Sequence, residues 1–243
     1  MRPRFIAASL LILAVCASGA AHAGPVTIGA GAGYKRLLVE LNTAFSAKTG
    51  IKIEESYGHL GQITAQAKEG GRFDVIFGDL AFFQTVPGLG ELKHAAVGKG
   101  RLVVAWAKGA PVKAPSDIAK PAVDRVAIPD AKSAIYGKAG MEFLERSGML
   151  AAVKPKLIEV ATVPQVTAYL MSGEVQAGLV NVTDAMGAGD KIGGYAPVDQ
   201  ALYDPILIVG AVMPEAAAKG DVARYLEFLA TPEARAIAEK HGL

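Results

Sequence analysis

The chain has 243 residues, of which 51% are apolar, 7% aromatic and 20% charged, and it contains one cysteine. Its 25 Lys and Arg against 23 Asp and Glu give no electrostatic case for nucleic acid or an anionic membrane surface as partner. The scarcity of aromatics argues against a cleft that stacks sugars, and the lone cysteine against a disulfide scaffold.

Residues 1–23 read as an export signal. Arg2 and Arg4 form a basic start, residues 5–15 an apolar stretch, and Ala21-His22-Ala23 a small-x-small cleavage site. A transmembrane anchor needs about 20 apolar residues, and this run is shorter. Cys16 follows Val15, a poor residue before a lipidated cysteine. Cleavage after Ala23 leaves about 220 residues, no cysteine, and 23 cationic against 23 acidic side chains. The working protein is then expected outside the cytoplasm, which removes most ATP- and nicotinamide-dependent functions from contention and turns attention to capture, binding and transport.

The remainder alternates strands and helices. Residues 26–30 predict a strand, 34–49 a helix closed by Gly50, 51–56 a strand, 62–69 a helix, and 75–77 a buried strand running into Gly78-Asp79. Residues 102–107 form another apolar strand. A second series follows: strand 126–128, helix Ile135–Arg146, strand Leu157–Val160, helix 166–171 and strand 179–181. A long apolar strand over 205–213 returns, and two helices, 222–229 and 232–241, close the chain. Thr231-Pro232 is a cap and first-turn pair for the last.

Two αβ series joined by two extended crossings imply two lobes around a cleft. Such sheets bind ligands beyond the carboxyl ends of their strands, where helix N-termini favour anions. That singles out residues 31–34, 58–61, 78–79, 130–134 and 181–184. Gly29, Gly31 and Gly33 fail the dinucleotide spacing, because Tyr34 stands where the third glycine belongs. No nucleophile elbow, H-E-x-x-H or Walker loop is present, so no enzyme activity and no cofactor is expected.

At these segments the chain resembles the periplasmic molybdate-binding proteins of ABC importers. The residues that carry the likeness are Val26-Thr27-Ile28 with the small residues after it, Ser56-Tyr57-Gly58, and Phe73-Asp74-Val75-Ile76-Phe77. They continue with Ala134-Ile135-Tyr136-Gly137-Lys138, and with Ala177-Gly178-Leu179-Val180 followed by Thr183-Asp184-Ala185. The resemblance implies an α/β, two-lobed periplasmic binding protein fold of type II. It implies mostly parallel sheets with helices on both faces and two hinge crossings. Lobe I would be residues 24–104 and 206–243, and lobe II residues 105–205. It also implies a monomer, an inner-membrane permease as partner, and one small inorganic ligand in the cleft.

The departures fall on the ligand shell. Where that family places a serine in the first turn, this chain has Gly33; where it places a second serine, His59-Leu60; where it places a tyrosine, Asn181. Tyr34, Ser133 and Ala134 complete the expected ligand set with Asp79, which follows the third strand. A carboxylate beside a dianion is repulsive, so His59 and Asp79 together point to a transition-metal ion rather than molybdate. An oxyanion held by helix-terminal N–H groups is the alternative, and a periplasmic sensor subunit for a membrane receptor is a third. Each candidate also has a plainer reading. Asp79 can cap the short helix after it, His59 and Lys132 can be solvated loop residues, Tyr34 a core aromatic, Ser133 a helix cap, Asn181 a turn residue, and Asp204 part of a hinge. His94 and His241 read as surface positions.

Overall fold

The computed structural model describes residues 24–70 and 72–243; the expected export signal lies outside them. Among the described residues no helix is long and apolar enough to cross a membrane.

The first series builds β1 (Val26–Gly31), a 3-10 turn Ala32–Tyr34 running directly into α1 (Lys35–Thr49), β2 (Ile53–Gly58), α2 (Leu60–Lys68), β3 (Val75–Asp79) and α3 (Leu80–Thr85). Leu37, Leu38, Leu41 and Phe45 recur at helical spacing and are buried, and Gly50 ends α1 in the left-handed conformation at φ +73°. Then β4 (His94–Gly100) leads directly into β5 (Leu102–Trp106).

The second series is β6 (Val126–Pro129), α4 (Ile135–Arg146), α5 (Leu150–Val153), β7 (Leu157–Val160), α6 (Val163–Ser172), β8 (Ala177–Asn181), α7 (Val182–Ala188) and β9 (Gly194–Pro197). The chain returns through β10 (Ile206–Val212) and ends in α8 (Gly220–Leu229) and α9 (Pro232–Lys240).

The strands form two five-stranded sheets, β2-β1-β3-β10-β4 and β7-β6-β8-β5-β9. In each, four strands point one way and a single strand, β10 or β5, runs against its two neighbours. The sheets are thus mixed, with most strands in one direction as expected, and the reversed strand of each is the one that follows a crossing. The first crossing is Arg101. Leu102–Val104, expected in lobe I, pair with β8 and β9 and belong to the second sheet. Their side chains are 0% exposed, and the apolar run 102–105 gains more from the middle of that sheet than from a solvated linker. The second crossing spans 203–205. The two are tied together where Leu102 N donates to the Tyr203 hydroxyl at 3.2 Å.

Glycine lets α2 settle onto the first sheet. A Cβ on Gly29 would lie 2.8 Å from Ile63, and one on Gly78 would lie 3.0 Å from Leu60 and 2.7 Å from Phe83. This close seating carries the start of α2, and with it His59, to the edge of the cleft.

Candidate functional site

A cavity of about 40 Å³ lies between the lobes. Four segments line it: 31–34 at the start of the 3-10 turn and α1, 58–60 at the start of α2, 133–136 at the start of α4, and 161–163 at the start of α6. The first N–H groups of a helix have no partner within it, and the aligned peptide dipoles place roughly half a positive charge there. Two starts come from each lobe, so closing the lobes brings four such ends onto one small volume.

Of the residues expected to bind ligand, Gly33, Tyr34, His59, Ser133 and Ala134 line this cavity. Asp79 and Asn181 do not line it. Asp79 is 0% exposed. One carboxylate oxygen accepts from Phe82 N at 3.0 Å and caps α3; the other accepts from Leu207 N at 3.0 Å and fastens the returning strand. Burial pushes its pKa above the ordinary carboxylate range despite these bonds. Asn181 caps α7 through Asp184 N at 2.8 Å, and its amide donates across the cleft to the Gly33 carbonyl at 2.8 Å. The amide thus joins the lobes rather than reaching the cavity.

The expected metal pair is not assembled. His59 faces Ser133, Asp79 is committed to two main-chain N–H groups, and no group of three or more His, Cys, Asp and Glu side chains gathers among the described residues. Asp79→Asn is expected to leave ligand affinity within about twofold while costing about 1–2 kcal/mol, because Leu207 N then faces an amide N–H. Urea unfolding and calorimetric titration of the same preparation check both halves.

His59 caps α2 by position but makes no side-chain cap. Its Nε2 reaches the Ser133 hydroxyl of the other lobe. That hydroxyl donates to Asp130 Oδ1, which also accepts from Lys132 N at 3.0 Å and Ser133 N at 2.8 Å. Since the serine proton goes to Asp130, the serine oxygen accepts, and His59 donates from Nε2. The Ser133 hydroxyl, first among several donors, holds the Asp130 carboxyl below the usual range.

Tyr34 is 4% exposed, and its hydroxyl has no hydrogen-bond partner among the described residues. Burial, first of all, raises its pKa well above that of a free phenol, so it stays a neutral donor. His94 and His241, expected at the surface, are partly buried. His94 stacks on Phe83 with centroids 6.3 Å apart, and His241 Nε2 meets Glu40 at 2.8 Å.

Sequence reasoning missed the start of α6 and the part played by Asp130. The first had a readable signal. Thr162-Val163-Pro164-Gln165 pairs a cap threonine with a first-turn proline, and Thr162 N bonds Gln165 Oε1 at 3.1 Å.

A family model for bacterial extracellular solute-binding proteins matches residues 26–243. The chain belongs to that family. Within it, this solute-binding protein is 30% identical to the molybdate-binding protein ModA of Rhodobacter capsulatus, over 91% of this chain and 89% of the relative. It is 26% identical to ModA of Azotobacter vinelandii, over 92% and 91%. The solved periplasmic molybdate-binding protein of Azotobacter vinelandii superposes with a TM-score of 0.80 at 23% identity, covering 89% of this chain and 97% of that one. The solute-binding protein is thus a divergent relative of the molybdate binders, with their two-lobed α/β fold.

Proposed function

We propose that this protein captures a small tetrahedral oxyanion between its lobes, outside the cytoplasm, and delivers it to the permease of an ABC importer. The observation that carries the reading is the convergence of four helix N-termini on one cavity of about 40 Å³. Each end favours an anion by roughly 0.3–1 kcal/mol, and by up to about 2 kcal/mol when partly buried. A half-buried site is also screened by salt less than an exposed one. A volume this small takes the head of an oxyanion and excludes a sugar or a peptide.

The curated relatives named as molybdate binders support the same class. Relative to the serine and tyrosine donors expected from that family, this chain offers main-chain N–H groups and the neutral Tyr34 phenol. Its preference among oxyanions is therefore its own. The likeness to solute-binding and molybdate-binding proteins supports a carrier's role for the site, which is binding and orientation.

A thermal-shift panel of molybdate, tungstate, sulfate, phosphate and divalent metals tests this. A ligand present at 100 times its Kd stabilises the folded state by about 2.7 kcal/mol, which is roughly 5–11 °C in Tm for a chain of this size. At least one tetrahedral dianion is expected to give such a shift. A shift with transition-metal ions and none with any oxyanion overturns the reading.

A further inference from the structure

We propose that Tyr136 is the positioning residue that sets how far the lobes close. Its phenol, carried on the lobe II wall of the cavity, wedges against the rung of the first sheet from which both crossings leave. The proposal concerns closure itself, and rests on the oxyanion reading only for the ligand that closure grips.

Tyr136 stands in the first turn of α4, lines the cavity and is 3% exposed. Gly100 ends β4, Ile206 opens β10, and the two are register partners. Arg101 follows the first and residues 203–205 precede the second, so the chain passes between the lobes twice at this rung. A Cβ on Gly100 would lie 2.2 Å from Tyr136 Oη, 3.2 Å from its Cζ and 2.9 Å from Ile206 Cγ2. The hydroxyl of a lobe II residue thus occupies the place that a side chain at position 100 would fill. Gly100 does not take a positive φ, so close approach, not backbone conformation, is what calls for glycine here. Burial first, and then the neighbouring Tyr203 and Asp79, push the Tyr136 pKa above that of a free phenol, so the wedge stays neutral.

The phenol has nowhere to retreat. Its ring is rigid, and its main chain belongs to a helix start seated closely on lobe II. Gly137 beside it rests on the Pro129 and Asp130 carbonyls, and a Cβ on Gly140 would lie 2.8 Å from Ile128 and 3.0 Å from Leu179. The far end of α4 holds the second crossing as well: Asp204 N donates to Glu142 Oε2 at 2.8 Å, and Arg146 Nη2 donates to Asp204 Oδ1 at 2.6 Å. One helix therefore meets the crossings at both ends while its N-terminus faces the cavity. A larger residue at position 100 pushes the phenol, and lobe II with it, away from the first sheet. The closed fraction then falls and the apparent Kd rises in proportion.

Pulsed electron-spin distance measurements test this on the mature chain, labelled at Lys52→Cys in lobe I and Lys154→Cys in lobe II, both exposed positions. They are made with and without molybdate on the parent chain, Gly100→Ala, Tyr136→Phe and the double variant, and calorimetry gives the molybdate affinity of each. Gly100→Ala is expected to shift the distances towards longer values in both states and to weaken molybdate about tenfold, equivalent to about 1.4 kcal/mol. Tyr136→Phe removes the one atom that the new Cβ meets at 2.2 Å. The double variant is therefore expected to recover the short distances and to bind within about threefold of the parent chain. A purely local loss at Gly100 would not be rescued by deleting an oxygen from the other lobe. Unchanged distances in Gly100→Ala, or a loss that Tyr136→Phe leaves in place, overturns the proposal. If circular dichroism shows Gly100→Ala unfolded, Tyr136→Leu decides: it shortens the wedge and is expected to broaden the ligand-free distances, and an unchanged distribution overturns the proposal. A parent chain that no oxyanion closes sinks the ligand reading, while the ligand-free distances still judge Tyr136.

Discussion

Gly137→Ala is expected to destabilise the protein by about 3 kcal/mol or more, and to lower ligand affinity with it. Gly137 lies in the first turn of α4, where helix propensity alone favours alanine by about 1 kcal/mol. Packing opposes that preference. A Cβ at this position would lie 2.3 Å from the Pro129 carbonyl oxygen and 2.5 Å from that of Asp130. Both are main-chain atoms at the end of β6 and cannot turn aside as a side chain could. The helix would have to lift from the strand, taking with it the main-chain bonds from Ala134 N to Asp130 O at 2.9 Å and from Asp130 N to Val160 O at 2.7 Å. Residues 133–136 would then leave the cavity they line. For a chain of this size the loss corresponds to roughly 6–12 °C in Tm. Two effects of opposite sign compete here, so the measurement is decisive: a Tm unchanged or raised by alanine would mean that α4 does not sit on β6 as described. Calorimetric titration of the folded fraction separates the loss of affinity from the loss of stability.

This contact also shows where sequence reasoning reaches and where it stops. The bounds Ile135–Arg146 follow from local periodicity, and they are observed unchanged. The reason for a glycine inside that helix depends on a strand end several residues away in another direction, which no periodicity encodes. The same holds for the site. The cap made by Asp79 was readable three residues away at Phe82, whereas its bond to Leu207 spans 128 residues. The bridge from His59 to Ser133 spans 74. Segments 31–34, 58–61 and 130–134 stood out because helix starts have local signatures. What each side chain does there is decided by the opposite lobe. Asn181 is the clearest case: its place after a strand suggested ligand contact, and the lobe facing it supplies the Gly33 carbonyl instead. The strands β4 and β9 were not recognised, since His94–Gly100 is rich in small residues and Gly194–Pro197 is only four long. Each lies at the edge of its sheet, where half-burial gives weak alternation.

Asp184→Ala is expected to weaken ligand binding about tenfold or more, although Asp184 does not line the cavity. Asp184 is 4% exposed in lobe II. Its Oδ1 accepts from Arg36 Nε of lobe I at 2.9 Å, and its other oxygen accepts from the Thr167 hydroxyl. Together with the amide of Asn181 on Gly33 O, the hydroxyl of Thr183 on His241 O at 2.8 Å and the contact of His59 with Ser133, this pair holds the lobes face to face. On the proposed reading the ligand binds the closed arrangement, and the apparent Kd is then the intrinsic value divided by the closed fraction. Losing about 1.4 kcal/mol of closure therefore appears as tenfold in Kd. The fold itself should lose about 2–3 kcal/mol: Thr167 is left buried without its carboxylate, while Arg36, with a side chain 44% exposed, regains water. Arg36→Ala distinguishes the two contributions. It removes the bridge and leaves Asp184 with Thr167, so affinity should fall nearly as far while less stability is lost. A double-mutant cycle on ligand affinity should show that the second change adds little to the first. Two fully additive losses would mean that the residues act separately and that this bridge does not govern closure. Small-angle scattering at saturating and zero ligand gives an independent readout, with the variants requiring more ligand to reach the compact form.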